Sequence, residues 1–424
     1  MKKFGFFLLF LQITTFSTIR ADEYHYKDVL VGERASGMGG TFIAISDDPS
    51  GMFYNPAGIV FSMENYFSLS ANAFSVSELK YKNIVPGQDY QYKSQGLVPA
   101  FFGFTQSIGK SKFGVAVIVP DSQLLDQDDT ITSLSEDTDS ANTLKRRLFR
   151  QDITYYGGPA IAFEVFKNFT MGVSAFGFAR LDKSIDYQLI LFNPVPTGKY
   201  FSQNTTQSRS FFGLAPKLGF QYMPLSKLSM GLTVSRVFNM AGSGSGRVVR
   251  NKSTADGKIV TPTGSFDNDM EIQEIKLLHN MPEVLEVGFG SAFFFSKTFL
   301  VTGDLTYHGS DSGFKEIPGG LQSVTDFSLG TEVYVSDNVA LRGGFFTNKA
   351  KTPVLVDGGK DQSPHVNLYG ETLGISLYKP GSSLTLSGSY SKGTGKGQAI
   401  GDTAIDQTLE QSNSTIFLTG SYQL

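Results

Sequence analysis

The sequence predicts an all-β transmembrane barrel of about fourteen antiparallel strands that follows a small N-terminal segment. Charged residues make up only 18% of the 424-residue chain, whereas Gly reaches 46 and Phe 37. Soluble domains carry roughly 25% charged residues, so this composition favours strands that face an apolar phase. Apolar residues also alternate with Ser, Thr and Gly along many short stretches. This period of two is typical of strands with one apolar and one polar face.

The first 21 residues have the layout of a secretory signal peptide. Lys2 and Lys3 precede an apolar run at 4–16, and small residues then lead to Ala21, after which we expect cleavage. An uncleaved anchor helix is the alternative, but the run is shorter than the ~20 residues that cross a bilayer. No later apolar run approaches that length, which excludes a helical integral membrane protein. The net charge of −3 and the lack of a basic stripe exclude a nucleic-acid partner.

Fourteen candidate strands follow one another along the chain. The clearest alternation lies at 228–234, where every even position is apolar. The predicted strands are 66–76, 98–108, 112–120, 147–164, 169–190, 208–223, 228–240, 284–296, 299–309, 325–335, 338–348, 367–378, 382–392 and 414–424. An even number of strands is typical of bacterial outer-membrane barrels.

The predicted connections alternate between short and long. Short turns fall at 109–111, 165–168, 224–227, 296–298, 336–338 and 379–382, and long polar connections at 121–146, 191–207, 241–283, 310–324, 349–366 and 393–413. Barrels of the outer membrane have this asymmetry of periplasmic turns and extracellular loops. The last strand places Ile416, Leu418 and Tyr422 on one face and resembles the C-terminal signal that barrel-assembly machinery reads. We therefore expect a monomer in the outer membrane of a diderm bacterium, in contact with outer-membrane lipid and with that machinery.

Residues 22–64 form a distinct segment ahead of the predicted barrel at 65–424. Gly37, Gly39 and Gly40 allow backbone to pass close to other backbone and to adopt positive φ. Asp47-Asp48-Pro49 and Asn55-Pro56-Ala57 have the chemistry of turns and helix starts. These features predict a compact, turn-rich plug, which we call the hatch segment.

The same motifs resemble the FadL/TodX family of outer-membrane transporters for long-chain fatty acids and other hydrophobic compounds. The resemblance rests on Ala35-Ser-Gly-Met-Gly-Gly40, Asp47-Asp-Pro49 and Phe53-Tyr-Asn-Pro-Ala-Gly58, and it spans the mature chain. It implies a fourteen-stranded barrel, a hatch to which Asn55-Pro56-Ala57 belong, and a kink in the third strand that opens the wall sideways. Gly114 and Pro120 suit such a kink, because Pro cannot donate to a ladder and Gly weakens one. The alternative is a flexible strand residue and a proline that ends a strand.

The resemblance also implies passive uptake of a hydrophobic ligand, such as a fatty acid, a hydrocarbon or a detergent, with no cofactor. An amphipathic loop helix over 270–281 is one candidate capture surface; the alternative is that it only packs against a neighbouring loop. The candidate ligand-lining residues are Phe102, Phe104, Phe211, Phe212, Phe346, Ile272, Ile275 and Leu278.

The sequence argues against an enzyme. The four histidines form no HExxH motif, no G-x-S-x-G motif is present, and no metal site is expected. Asp304, Glu332 and Arg342 are predicted to face the lumen as a solvated or mutually paired network. Two other classes stay open: a general diffusion porin, which the hatch segment disfavours, and a secretion or adhesion barrel that uses its loops for protein contacts.

Overall fold

A computed structural model describes residues 24–27, 29–85, 87–132, 141–193, 199–253, 258–261, 264–267, 269–276, 281–314, 317–399 and 406–424. The predicted signal peptide at 1–21 and the candidate lining residue Leu278 lie outside these residues. No helix in the described part of the chain is long and apolar enough to cross a membrane.

The described residues form eighteen strands. Their bounds are β1 Tyr66–Val85, β2 Gln88–Ile108, β3 Ser111–Ile131, β4 Ala141–Phe166, β5 Phe169–Phe192, β6 Tyr200–Leu225, β7 Leu228–Arg236, β8 Phe238–Ser253, β9 Lys258–Thr261, β10 Gly264–Asp267, β11 Asp269–Lys276, β12 Leu285–Phe294, β13 Phe299–His308, β14 Val324–Ser336, β15 Val339–Asn348, β16 Leu368–Lys379, β17 Ser382–Gly397 and β18 Gln407–Gln423.

Fourteen of these strands close an antiparallel barrel. Neighbours in sequence pair from β1 to β7 and from β12 to β18, β18 pairs with β1, and β7 joins β6 to β12. The predicted fold class and strand number are confirmed. Beyond the ring, β8 pairs with the outer part of β6, β11 pairs with β8, and β9 pairs with β10 in a separate hairpin. We call the barrel end with the long connections the outer end.

Much of the polar sequence that we expected in loops forms strand instead. The predicted loop 121–146 is mostly the paired ends of β3 and β4, which run to Ile131 and from Ala141. Likewise, the predicted loop 241–283 carries β8 to β11. The prediction of a helix over 270–281 is wrong, because Asp269–Lys276 pairs with β8 as a strand. Period two marks only strands with one apolar face, and these extensions have polar side chains on both faces.

The outside of the barrel carries a belt of exposed apolar side chains. Nearly half of the side-chain surface is exposed at Leu69, Val117, Leu305, Leu329, Leu386 and Leu418. These residues come from β1, β3, β13, β14, β17 and β18, and their neighbours in sequence face inward. An apolar exterior with a polar interior is the arrangement that a barrel needs in lipid. In the last strand Ile416, Leu418 and Tyr422 lie on the exposed face, as predicted.

The hatch segment folds inside the barrel from short elements. They are α1 Glu33–Gly37, α2 Gly51–Tyr54 and a 3₁₀ helix at Pro56–Phe61. Asn55 caps the 3₁₀ helix, because its side-chain oxygen accepts a hydrogen bond from the Ala57 N–H and Pro56 occupies the first turn, where no donor is needed. Two apolar side chains of the hatch segment, Met52 and Ile59, pack with Phe101 of β2 in one core cluster.

Candidate functional site

The candidate site is the lumen, which the hatch segment occupies, together with the part of the wall around Pro120 where strand pairing is interrupted. The hatch backbone lies against barrel glycines on most sides. At each of them an added Cβ would lie within 3.2 Å of a hatch atom: Gly103, Gly114, Gly172, Gly219, Gly231, Gly290, Gly330, Gly344 and Gly374. We call this set the glycine collar. Glycine is required here because a side chain would occupy the volume of the hatch.

The hatch motif residues lie at this collar. Gly39 and Gly40 have φ of 67° and 77°, the left-handed conformation that favours glycine. The Gly37 carbonyl accepts a hydrogen bond from the Thr372 hydroxyl at 2.9 Å, and the Gly39 N–H donates to the same hydroxyl at 2.8 Å. The Thr372 hydroxyl of β16 therefore forms hydrogen bonds with two backbone groups of the hatch segment.

Asn55 and Asp304 form hydrogen bonds with the backbone of the hatch segment around Ile43. Asn55 is fully buried, and its Nδ2 donates to the Ile43 carbonyl at 2.7 Å and to the Phe220 carbonyl of β6 at 3.0 Å. The Asp304 carboxylate accepts from the Phe42 and Ile43 N–H groups at 2.7 and 3.0 Å. One amide and one carboxylate thus satisfy backbone groups that a folded plug would otherwise bury unpaired.

Charged side chains tie α1 of the hatch to the barrel. Arg34 contacts Glu332 of β14 at 2.6 Å and Asp47 at 2.5 Å, and Glu332 also contacts Arg342 of β15 at 2.6 Å. The prediction that Glu332 and Arg342 face the lumen in a paired network is confirmed. Because the network is buried and connected, removal of one member leaves a charge without its partner.

Asp48 is a buried acid in the hatch. Its Oδ1 accepts from the Ser50 N–H at 2.7 Å, whereas its Oδ2 has no hydrogen-bond partner among the described residues. Burial raises the pKa of Asp48 to about 7, against the hydrogen bonds from Ser50 that lower it. The hatch therefore carries a group that changes its charge near neutral pH.

The barrel wall is interrupted on both sides of Pro120. Pairing of β2 with β3 ends at Phe101 and Ile118, and no backbone pair joins the described residues of these strands farther out. On the other side, the step from Ile118 to Asp121 in β3 faces the shorter step from Tyr156 to Thr154 in β4, which leaves one residue of β3 without a partner. On the β4 side the interruption is a β-bulge at a proline, which has no N–H for the ladder. We call this part of the wall the break.

Gly114 has a different position from the one expected. It pairs regularly with Thr105 and with Ala160, so the ladder is intact around it. An added Cβ at Gly114 would lie 2.5 Å from the Met52 sulfur. Gly114 is therefore a collar residue below the break, and only Pro120 of the two lies at the interruption.

The aromatic candidates divide between the two faces of the wall. Phe211 and Phe346 face inward and are 3% and 4% exposed, and Phe346 clusters with Leu30 of the hatch. Phe102 and Phe212 face outward, at 42% and 47% exposed, and Phe104 shares the outward face of β2 with Phe102. Their assignment to the lumen is wrong, because adjacent residues of a strand face opposite sides and the register was not fixed.

The loop candidate Ile272 does not line the lumen as expected, because its strand lies beyond the ring. Ile272 lies in β11 and is 47% exposed, and Ile275 lies in the same strand. Phe101, which we did not single out, is the inward-facing ring of β2 and contacts the hatch cluster. A choice between Phe101 and Phe102 needs a register that alternation alone does not give.

The inner wall carries a network of arginines and aspartates that we did not predict from the sequence. Asp152 and Asp182 face each other across β4 and β5. Arg180 contacts Asp152 at 2.6 Å, Arg209 donates to Asp182 at 2.7 Å, and Arg150 lies 3.4 Å from Asp182. The signal was a spacing of two between charges, as in Arg150 and Asp152, which places both on one face of a strand.

Tyrosines fill the outer lumen next to this network. Tyr81, Tyr90 and Tyr92 are buried in one cluster with Leu148 and Leu409. The outer end of the lumen is therefore lined by aromatic and aliphatic side chains on one side and by ion pairs on the other. Within the described part of the chain, no group of three or more His, Asp or Glu is placed to hold a metal ion.

Three solved structures of other bacterial proteins share this fold. The Ralstonia pickettii toluene transporter TbuX is 14% identical, with a TM-score of 0.61 over 92% of this chain and 98% of that one. The Pseudomonas putida toluene transporter TodX is 16% identical, with a TM-score of 0.59 over 92% and 97%. A Pseudomonas aeruginosa FadL homologue is 13% identical, with a TM-score of 0.60 over 94% and 99%. No protein-family model and no curated protein matches the sequence. At this identity the comparisons show the fold, and they confirm the resemblance at that level.

Proposed function

We propose that the chain is a passive outer-membrane uptake channel for hydrophobic compounds, long-chain fatty acids among them. The outer end captures the ligand, the hatch segment at 22–64 blocks the axial path, and the ligand leaves sideways through the wall. The observation that carries this proposal is the pairing of a filled lumen with a wall interrupted at Pro120. A general porin needs an open lumen. The contacts between the glycine collar and the hatch segment disfavour an open lumen.

The energetics require no cofactor. Burial of an acyl chain gains roughly 0.8 kcal/mol per CH₂, so a few apolar contacts in the outer lumen give useful affinity. Buried rings such as Tyr81, Tyr92 and Phe211 supply such contacts. The ligand then moves down its gradient and enters the lipid at the apolar belt, where Val117 is 47% exposed beside the break.

The proposed location and partners follow from the signal peptide, the barrel and its apolar belt. A signal peptide at 1–21 and a barrel at 65–424 with an apolar belt suit insertion into the outer membrane by the barrel-assembly machinery, as a monomer. The toluene channels with this fold support an apolar cargo. Whether the physiological cargo is a hydrocarbon or a fatty acid is what the test below decides.

The test measures uptake of radiolabelled oleate and toluene by diderm cells that lack their own channel and express this protein. We expect faster uptake of at least one compound than in cells with an empty vector. Liposomes that contain the purified protein should not swell in a small sugar. Sugar-driven swelling without uptake of either compound would identify a porin and refute the proposal.

A further inference from the structure

Five of the six short turns opposite the outer end carry an exposed lysine. These turns join β2 to β3, β4 to β5, β6 to β7, β12 to β13 and β16 to β17. The lysines lie in the turns or at the strand ends beside them: Lys110, Lys167, Lys227, Lys297 and Lys379. The sixth turn, between β14 and β15, has Asp337 in the corresponding place. Most neighbouring lysines are two strands apart, about 10 Å along the barrel, and we call the five the lysine ring.

The ammonium groups of the lysine ring are not neutralised by the protein. Within the described part of the chain, none of them forms an ion pair with a carboxylate. Glu164, close to Lys167 in sequence, instead accepts a hydrogen bond from the Asn168 N–H at 3.1 Å. The outer end differs, since Lys93 there lies 2.8 Å from Glu78. A ring of uncompensated positive charge favours an anionic partner.

Each lysine of the ring follows an exposed apolar side chain by one or two residues. These apolar side chains are all more than half exposed: Ile108, Phe166, Leu225, Phe295 and Leu377. An apolar side chain next to a lysine suits the boundary of a bilayer, where carbon lies among acyl chains and the ammonium group reaches the headgroups. The turn with Asp337 keeps the apolar residue, Val335, and lacks the lysine.

Stacked aromatic rings mark the same level of the wall. Phe166 stacks on Phe169 with 4.7 Å between the ring centroids. Beside the turn between β12 and β13, the Phe295 ring lies 4.8 Å from that of Phe293 and 5.1 Å from that of Phe299. Aromatic side chains concentrate where a membrane meets water. The lysine ring therefore lies at the headgroup level of one leaflet.

An anionic phospholipid combines the two properties that this surface recognises. Its phosphate carries the negative charge at the level of the lysines, and its acyl chains contact the apolar side chains beside them. Peptidoglycan in the periplasm offers carboxylates and no acyl chains, so it matches the charge alone. A zwitterionic phospholipid carries its own ammonium group, which offsets the attraction of its phosphate to lysine.

We propose that the lysine ring selects phospholipids with a net negative headgroup from the inner leaflet of the outer membrane. The inference rests on the proposed function for the direction of the short turns, which face the periplasm, and it adds a lipid partner that is not cargo. A lysine beside an anionic lipid surface changes binding by about 5-fold. The turn with Asp337 lacks this preference, so the selection is uneven around the barrel.

The test places a fluorescent reporter at one turn. The chain contains no Trp, so Phe295→Trp adds a single one, two residues before Lys297. Val335→Trp, two residues before Asp337, is the matched control at an equally exposed position. The purified barrels are refolded into phosphatidylcholine vesicles that contain brominated phosphatidylglycerol or brominated phosphatidylcholine. Bromine quenches Trp on contact, so the two series give the relative binding constant of the anionic and the zwitterionic lipid.

The Phe295→Trp protein should bind phosphatidylglycerol about 5-fold more tightly than phosphatidylcholine. Lys227→Gln with Lys297→Gln should remove this preference. The Val335→Trp protein should show none, and Asp337→Lys should create one there. Equal binding of the two lipids by a Phe295→Trp protein with the gel mobility of the folded barrel would overturn the proposal, and so would a preference that survives the loss of both lysines.

Two further outcomes would assign the lysine ring to another anion and so overturn the proposal. The first is a lipid preference that disappears when sodium phosphate replaces sodium chloride at equal ionic strength, which would identify a site for free phosphate. The second is sedimentation with isolated peptidoglycan that requires the lysines, without a lipid preference, which would identify the polymer.

A labelling experiment tests the direction of the short turns. Ser226→Cys adds the only thiol of the chain, in the exposed turn beside Lys227. A membrane-impermeant maleimide should label it only after the outer membrane is permeabilised. Labelling in intact cells would overturn the assignment to the inner leaflet. None of these measurements uses cargo, so a failure of uptake refutes the proposed function alone, and a missing lipid preference with normal uptake refutes only this inference.

Discussion

Replacement of Gly172 by alanine places a methyl group where the hatch backbone lies. The new Cβ would be 2.5 Å from the Pro56 carbonyl carbon and 2.6 Å from the Ala57 nitrogen. The carbonyl carbon is about 0.9 Å too close for ordinary contact at 3.4 Å, and it is backbone, so the hatch must shift. Overpacking of this kind costs about 1–3 kcal/mol, which lowers the ratio of seated to displaced hatch about 5- to 150-fold.

Single-channel conductance and protease sensitivity of the hatch report this change. Gly172→Ala should increase both, because a displaced hatch leaves a polar lumen open. Gly177→Ala is the matched control on β5, since its Cβ would lie 3.7 Å from the nearest atom, in ordinary contact. Equal conductance and equal protection in the two variants would refute the idea that the glycine collar seats the hatch.

Three further changes test the contacts of the hatch. Burial raises the pKa of Asp48 from its usual 3.8 to about 7, so the seated hatch is most stable below about pH 4 and loses stability as the pH rises to about 7. Asp48→Asn should abolish the loss of protease protection between about pH 4 and about pH 7, and an unchanged pH profile would contradict this. Asn55→Ala leaves two backbone carbonyls without their donor and should cost about 1–3 kcal/mol, seen as a lower midpoint of hatch release on heating; an unaltered midpoint would count against it. Glu332→Gln leaves Arg34 and Arg342 without their shared carboxylate and should destabilise the hatch by about 3–5 kcal/mol in denaturant titrations of protease protection, whereas a cost below about 1 kcal/mol would contradict it.

The ring of strands was predictable because lipid imposes a simple pattern. Stretches such as 228–234 alternate strictly, since one face meets lipid and the other the lumen or hatch. Where the barrel extends past the lipid, the constraint disappears, and the outer ends of β3 and β4 looked like loops. The same loss of pattern made Asp269–Lys276 look like a loop helix.

The site was predictable only where chemistry is local. Asn55-Pro56-Ala57 builds a capped turn from neighbouring residues, so its sequence is informative. Lumen facing depends on register, and Phe101 and Phe102 exchange roles with a slip of one residue. The glycine collar depends on contacts between distant parts of the chain, and a single sequence does not reveal which of the 46 glycines make them.

Deletion of Pro120 tests the central claim most directly. The bulge arises from one extra residue in β3, so its deletion allows the ladder with β4 to continue. The measurement is the initial rate of uptake of labelled oleate and toluene by cells that express the deleted or the intact protein, at matched amounts of folded barrel. Sideways release through the wall predicts that both rates fall to those of cells without the protein, with hatch protection unchanged. Uptake by the deleted protein at the rate of the intact one would contradict it.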